Sequence, residues 1–114
     1  MNGKMLFYGN IRLGADAEQT KVGDKTLVKF RGCWTEVRKG DKESSWANFE
    51  SWSGYLNENI MKFFKKGKNV HVRGSMVEDS YDDKNGNKVK TYRFRVDGFD
   101  LLDNREKQDE GPGF

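Results

Sequence analysis

Alternation of apolar and polar residues dominates this chain and sets out its elements. The stretch KMLFYGNIRLG, residues 4–14, starts as an apolar run and becomes alternating, interrupted by Gly9. It predicts a strand, and a glycine inside a strand often marks a bulge or a close backbone approach. Residues 26–37 alternate with Val28 and Phe30 on one face and Lys29 and Arg31 on the other. Residues 45–52 put Ala47, Phe49 and Ser51 on one face and Trp46, Asn48, Glu50 and Trp52 on the opposite one. Residues 68–81 set Val70 and Val72 against His71 and Arg73. Residues 88–102 set Tyr92, Phe94 and Val96 against Thr91, Arg93 and Arg95.

The period changes over residues 54–67. Leu56, Ile60, Phe63 and Phe64 recur at helical spacing and form one apolar stripe. Lys62, Lys65 and Lys66 crowd the last turns, where the helix dipole favours cations, and Gly67 suits the stop position. Residues 15–25 are polar, with a Gly-Asp turn signal near their end, and residues 38–44 read as a charged loop. Asn85-Gly86 predicts a type I′ hairpin turn between the last two strands. Residues 103–114 show no periodicity and read as a disordered tail. The predicted order is strand, strand, strand, helix, strand, strand, tail. Five strands with one helix between the third and fourth is the element order of an OB-fold, a small Greek-key barrel. The pattern alone also permits a single α+β sheet with a docked helix. The expected organisation is a barrel domain over residues 1–103 and a tail over 104–114.

A barrel of 114 residues has one modest core to fill. Phe49 and Ala47 suit that interior, with Val28, Phe30, Val70, Val72, Tyr92, Phe94 and Val96. Trp46 and Trp52 then point outward, sharing a surface with Lys29, Arg31, Arg93 and Arg95. Charge supports the same division. The net charge is +3, but residues 103–114 carry −2, which leaves +5 on the remainder. A basic body fits a polyanionic partner. Basic side chains attract a phosphate backbone, and indole faces stack on bases that are unpaired; in a duplex those faces are already occupied. The competing readings are core packing of the tryptophans, a protein interface, and a merely solvated basic face.

Other chemistry has little to work with. One cysteine, Cys33, and one histidine, His71, supply neither a disulfide nor the usual zinc ligand set. There is no Gly-rich phosphate loop and no His-Glu-x-x-His motif. No cofactor and no enzymatic activity are expected, and Glu50, on the tryptophan face, reads as a charge-balancing group. No apolar run is long enough to span a membrane, and MNGKMLFYGN lacks the apolar region of a signal peptide, so a cytoplasmic location is expected.

From about Met5 to Asp103 the chain resembles the bacterial and phage single-stranded DNA-binding protein family. GNI at 9–11, DAE at 16–18 and VKF at 28–30 follow the order of that family's first segments. WANFESWSGYLNENIMKFFKKGKNVHVRG, 46–74, is the most similar stretch, and SYDDKNGNKVKTY, 80–92, is similar to its long hairpin. The resemblance implies an OB-fold that coats and protects single-stranded DNA, without strong sequence preference, in replication, recombination and repair. It implies stacking roles for Trp46, Trp52 and Tyr81. A further family aromatic falls near Arg38 by count, and Trp34 lies four residues earlier; Trp34 is either a stacker or core. Backbone contacts are expected from Lys29, Arg31, Arg38, Arg73, Arg93 and Arg95. The end of the chain, DEGPGF, is similar to the family's acidic docking tip, with Asp109, Glu110, Pro112 and Phe114 as the candidates, although Gly113 separates the last two. Replication and repair proteins are the implied partners of that tip. Ala17 stands where the family has proline. The family implies a homo-oligomer, a tetramer or alternatively a dimer. An RNA-binding or cold-shock-like OB module is the alternative function.

Overall fold

The computed structural model describes residues 3–102. Its elements are β1 (Met5–Leu13), β2 (Glu18–Val22), β3 (Lys25–Arg38), β4 (Asp41–Ser51), α1 (Gly54–Phe63), β5 (Asn69–Asp82) and β6 (Lys88–Leu101). β1 pairs with β5, β5 with β6, β6 with β4, and β4 with β3; β3 returns to β1 at Cys33 opposite Arg12 and Gly32 opposite Leu13. Five strands thus close on themselves, with the helix between the third and fourth members of the ring. This is the OB-fold expected from the element order. β2 lies outside the ring, on the edge of β3 away from β4, with Glu18 opposite Lys29 and Val22 opposite Lys25. All pairings are antiparallel except β4–β6, which is parallel and short, with Phe49 opposite Phe94 and Glu50 opposite Arg95.

The inward parity of each strand fills the ring. Ile11, Leu13, Val28, Phe30, Phe49, Val70, Val72 and Val96 form one buried cluster with Ile60 and Phe64. Phe30 and Phe49 stack with ring centroids 5.4 Å apart, at an interplanar angle of 10°. α1 closes one end of the ring. Ser53 caps its start, accepting a hydrogen bond from the Leu56 N–H at 3.3 Å. The buried Asn57 donates its side-chain N–H to the Thr26 carbonyl at 3.1 Å, which ties the helix to β3. Phe64 has left the helix, and its carbonyl accepts from the Ala17 N–H at 3.0 Å.

Several expectations are corrected. The charged stretch 38–44 is no loop: β3 and β4 run to a two-residue turn at Lys39-Gly40, whose φ values of 52° and 86° are those of a type I′ turn. The Asn85-Gly86 turn is of another kind. Only Gly86 has positive φ there, and the loop 83–87 is organised by Asp83, whose carboxylate accepts from the Asn85 and Asn87 N–H groups at 2.9 and 2.8 Å. The polar stretch 15–25 contains β2. α1 stops at Phe63, and Gly67 belongs to a following turn closed by the Lys68 N–H on the Lys65 carbonyl at 3.0 Å. Phe64 turns into the core at that point, so the stripe ends there, and Phe63 is partly exposed. Tyr92 has inward parity but is 52% exposed, because the β5–β6 hairpin extends past the ring and nothing covers it there. Gly9 pairs with Val72 in unbroken register. The irregularity lies instead between Arg73 and Gly74, where Arg73 faces Gly98 and Gly74 faces Val96. A β-carbon on Gly74 would overlap the Arg95 carbonyl oxygen, so this crossing accepts glycine alone.

Among the described residues, no helix is long and apolar enough to cross a membrane. The tail candidates Asp109, Glu110, Pro112 and Phe114 lie outside the described residues.

Candidate nucleic-acid interface

The outer faces of β3, β4 and β6 form one surface. Trp46 is 46% exposed there, and the Arg31 guanidinium carbon lies 4.6 Å from the centre of its indole. Cation–π contact of this kind stabilises by about 0.5–1 kcal/mol at exposed sites. The far edge of the same ring rests on Gly14, where a β-carbon would lie 2.6 Å from Cζ3. The indole is therefore seated between a guanidinium and bare backbone. Its orientation is set before any ligand arrives, which lowers the ordering cost of binding.

Trp52 follows the end of β4. Its Nε1–H donates to Glu50 Oε2 at 2.9 Å. The same oxygen accepts from Arg93 Nη1 at 2.8 Å. Arg93 Nε also lies 3.0 Å from Asp79 Oδ2, at an angle that makes an ion pair but no hydrogen bond. Glu50 stands opposite Lys29 on one side and Arg95 on the other. Lys29, Arg31 and Arg95 form no ion pair with any described residue. With Lys25, which also has no ion pair with a described residue, they are available cations of the face. Lys29, Arg31 and Arg93 line an open groove with Asn48, Glu50 and Tyr92. Arg95 lines a neighbouring one with Trp52 and Lys25. Tyr81, 57% exposed, lies on β5 two positions beyond Asp79 and so on the same parity as the Arg93 contact.

The remaining candidates lie elsewhere. Trp34 keeps the inward parity of Val28 and Phe30, since β3 and β4 pair without a shift through this region. It packs half-buried on the core cluster and lines an apolar hollow with Phe7 and Phe94, on the other side of the sheet from Trp46. Arg38, beside the hairpin tip, lies 3.1 Å from Glu36 and 3.6 Å from Glu43. Arg73 is on the outer face of β5, lies 3.2 Å from Asp100, and crosses Gly98. Neither arginine reaches the tryptophan face. Sequence reasoning did not find Asp79, Gly14 or Lys25 as parts of this surface. The Glu50–Trp52 bond had a signal in the spacing of two along one strand; the Arg93 partner, 43 residues from Glu50, had none.

The model of the single-strand binding protein family matches residues 2–102. The single-stranded DNA-binding protein 1 of Xylella fastidiosa (strain 9a5c) is 27% identical over 108 residues, covering 90% of this chain and 79% of the relative. The solved structure of a Plasmodium falciparum SSB complex with ssDNA matches with a TM-score of 0.76 at 18% identity, covering 90% of this chain and 100% of that one. The structural likeness is one of fold, and it agrees with the ring of strands described above. The family match extends over the whole of that ring: this chain belongs to the single-strand binding protein family.

Proposed function

We propose that the outer face of β3, β4 and β6 binds single-stranded DNA without strong sequence preference, and that the protein coats and protects exposed strands during replication, recombination and repair. The observation that carries this reading is the exposed, pre-seated indole of Trp46 under Arg31, which, like Lys29 two residues along the strand, forms no ion pair with any described residue. Trp46, Trp52 and Tyr81 stack on bases; Lys29, Arg31 and Arg95 hold phosphates. The role is binding, not catalysis, and its site of action is the bacterial cytoplasm or a phage-infected cell. The test is a tryptophan-fluorescence titration with oligo-dT at low and high salt, against duplex of equal length and oligo-U. Strong quenching by oligo-dT with far weaker duplex binding is expected. Binding to oligo-U as tight as to oligo-dT would favour the RNA-binding reading, and absence of quenching and binding would refute both.

Salt dependence separates the cations. Each neutralised phosphate contributes a slope of about −0.7 in log K against log salt for single strands. Lys29→Ala is expected to reduce the slope by about that amount. Arg93→Ala is expected to change it less, because two carboxylates already share that charge. An unchanged slope in Lys29→Ala would remove Lys29 from the backbone contacts.

Two further parts belong to the proposal. The protein assembles with itself, as a tetramer or alternatively a dimer. Support comes from β1, where Met5, Leu6 and Tyr8 are exposed and the edge away from β5 is unpaired up to Arg12. Sedimentation would decide between the two, and a monomer at micromolar concentration would refute both. The end of the chain, with Asp109, Glu110, Pro112 and Phe114, docks onto replication and repair proteins. The support is the acidic charge of Asp109 and Glu110 and the aromatic side chain of Phe114; capture of the same partners after removal of residues 109–114 would refute it.

A further inference from the structure

A carboxylate sits in the middle of the proposed DNA face. The Glu50 side chain is 11% exposed, with Lys29 and Arg95 as its cross-strand neighbours. An anion there opposes the approach of a phosphate backbone, and burying a carboxylate is costly unless it is hydrogen-bonded. Both facts call for a positive reason for its presence. The bonds of Glu50 supply one. Trp52 lies just past the last residue of β4 and just before Ser53, the helix cap, outside the ladder that fixes its neighbours. Its indole Nε1–H is a donor only, at the ring edge. Trp52 is half-buried, and a bond made at the ring edge lies in the ring plane, so it fixes the ring without occupying its faces. Glu50 Oε2 makes that bond. Arg93, braced by Asp79, provides the counter-charge on the same oxygen.

We propose that Glu50 is a positioning residue of the DNA-binding face, one that aims the Trp52 indole for base stacking. The inference rests on the single-stranded DNA reading given above. It makes a prediction opposite in sign to simple electrostatics. Removing a negative charge beside a bound polyanion should strengthen binding; removing the acceptor that aims the indole should weaken it. The two effects can be separated because both bonds end on one oxygen. An amide carbonyl can accept both, so Glu50→Gln keeps the geometry and drops the charge, whereas Glu50→Ala drops both.

The experiment uses the full chain and a fluorescently labelled oligo-dT, read by anisotropy, with the Trp52 indole N–H followed by NMR and assigned from Trp52→Phe. Glu50→Ala is expected to bind about fivefold or more weakly, a part of one stacking contact. Glu50→Gln is expected to bind as tightly as the unaltered chain or up to about threefold tighter, by partial release of the Arg93 charge. The Trp52 N–H signal should exchange slowly in the unaltered chain and in Glu50→Gln, and rapidly in Glu50→Ala. Glu50→Ala binding at or above the unaltered level would overturn the proposal, as would Glu50→Gln falling as far as Glu50→Ala. Rapid exchange of the Trp52 N–H in the unaltered chain would overturn it without either Glu50 variant having to fold. Failure of the unaltered chain to bind oligo-dT would overturn the DNA reading itself, and the proposal with it.

Discussion

Replacing both Trp46 and Trp52 with alanine is expected to weaken oligo-dT binding by about 2–6 kcal/mol, roughly 30-fold to 10⁴-fold. Each base stacked on an aromatic ring is worth about 1–3 kcal/mol in proteins of this kind. The two indoles are six residues apart, about 20 Å along an extended chain. They have separate supports, Arg31 with Gly14 for one and Glu50 for the other. Effects at sites this far apart add to within a few tenths of a kcal/mol. The two single variants should therefore account for the double one. Trp46 is 46% exposed and outside the core cluster, so its removal should leave the fold intact. Titration of labelled oligo-dT, with circular dichroism to verify folding, makes the measurement. A folded double variant within twofold of the parent would remove both residues from the interface.

The second large effect is on stability. Phe64→Ala is expected to destabilise the fold by about 3–5 kcal/mol. The Phe64 ring is fully buried. It meets Phe30 and Phe99 edge-on, each at 4.9 Å between centroids and 78° between planes. Its backbone joins three parts of the molecule, donating to the Ile60 carbonyl at 2.8 Å and accepting from Ala17. Alanine would keep those backbone bonds and leave a phenyl-sized gap where helix and ring meet. A domain of this size has about 5–15 kcal/mol in total, so a loss of this magnitude should lower the urea midpoint sharply. A change below about 1 kcal/mol would show that the end of the ring closes without this side chain.

How much was legible follows from which residues have a buried face. Val28, Phe30, Phe49, Val70, Val72 and Val96 alternate because each strand has the core on one side, and their inward parity was read correctly. β2 has no such side. Glu18, Gln19, Thr20, Lys21 and Val22 are all exposed, since this strand touches the edge of β3 and covers no core. It leaves no period to read. The same applies where the two hairpins extend past the ring, which hid the turn at Lys39-Gly40 and misplaced Tyr92. At the candidate interface, parity along β4 gave the outward direction of Trp46, and the spacing of two gave the proximity of Glu50 to Trp52. The ion pairs could not be read in this way. Arg93 meets Asp79 across the β5–β6 hairpin, and reaches Glu50 only through the β4–β6 pairing that closes the ring.

Ring closure itself has a kinetic side. The β4–β6 seam consists of Phe49 opposite Phe94 and Glu50 opposite Arg95, in the parallel arrangement, which is less stable per residue than the antiparallel one. It joins segments 45 residues apart, and such distant contacts form late because a long loop must close first. With two paired positions, the seam is a short stretch of ladder and so a place where local opening is easier. Glu50 and Arg95, on the proposed binding face, sit on it, with Trp52 and Arg93 beside them. A strand of DNA lying across β4 and β6 would act as a staple over the joint, holding shut a short parallel pairing.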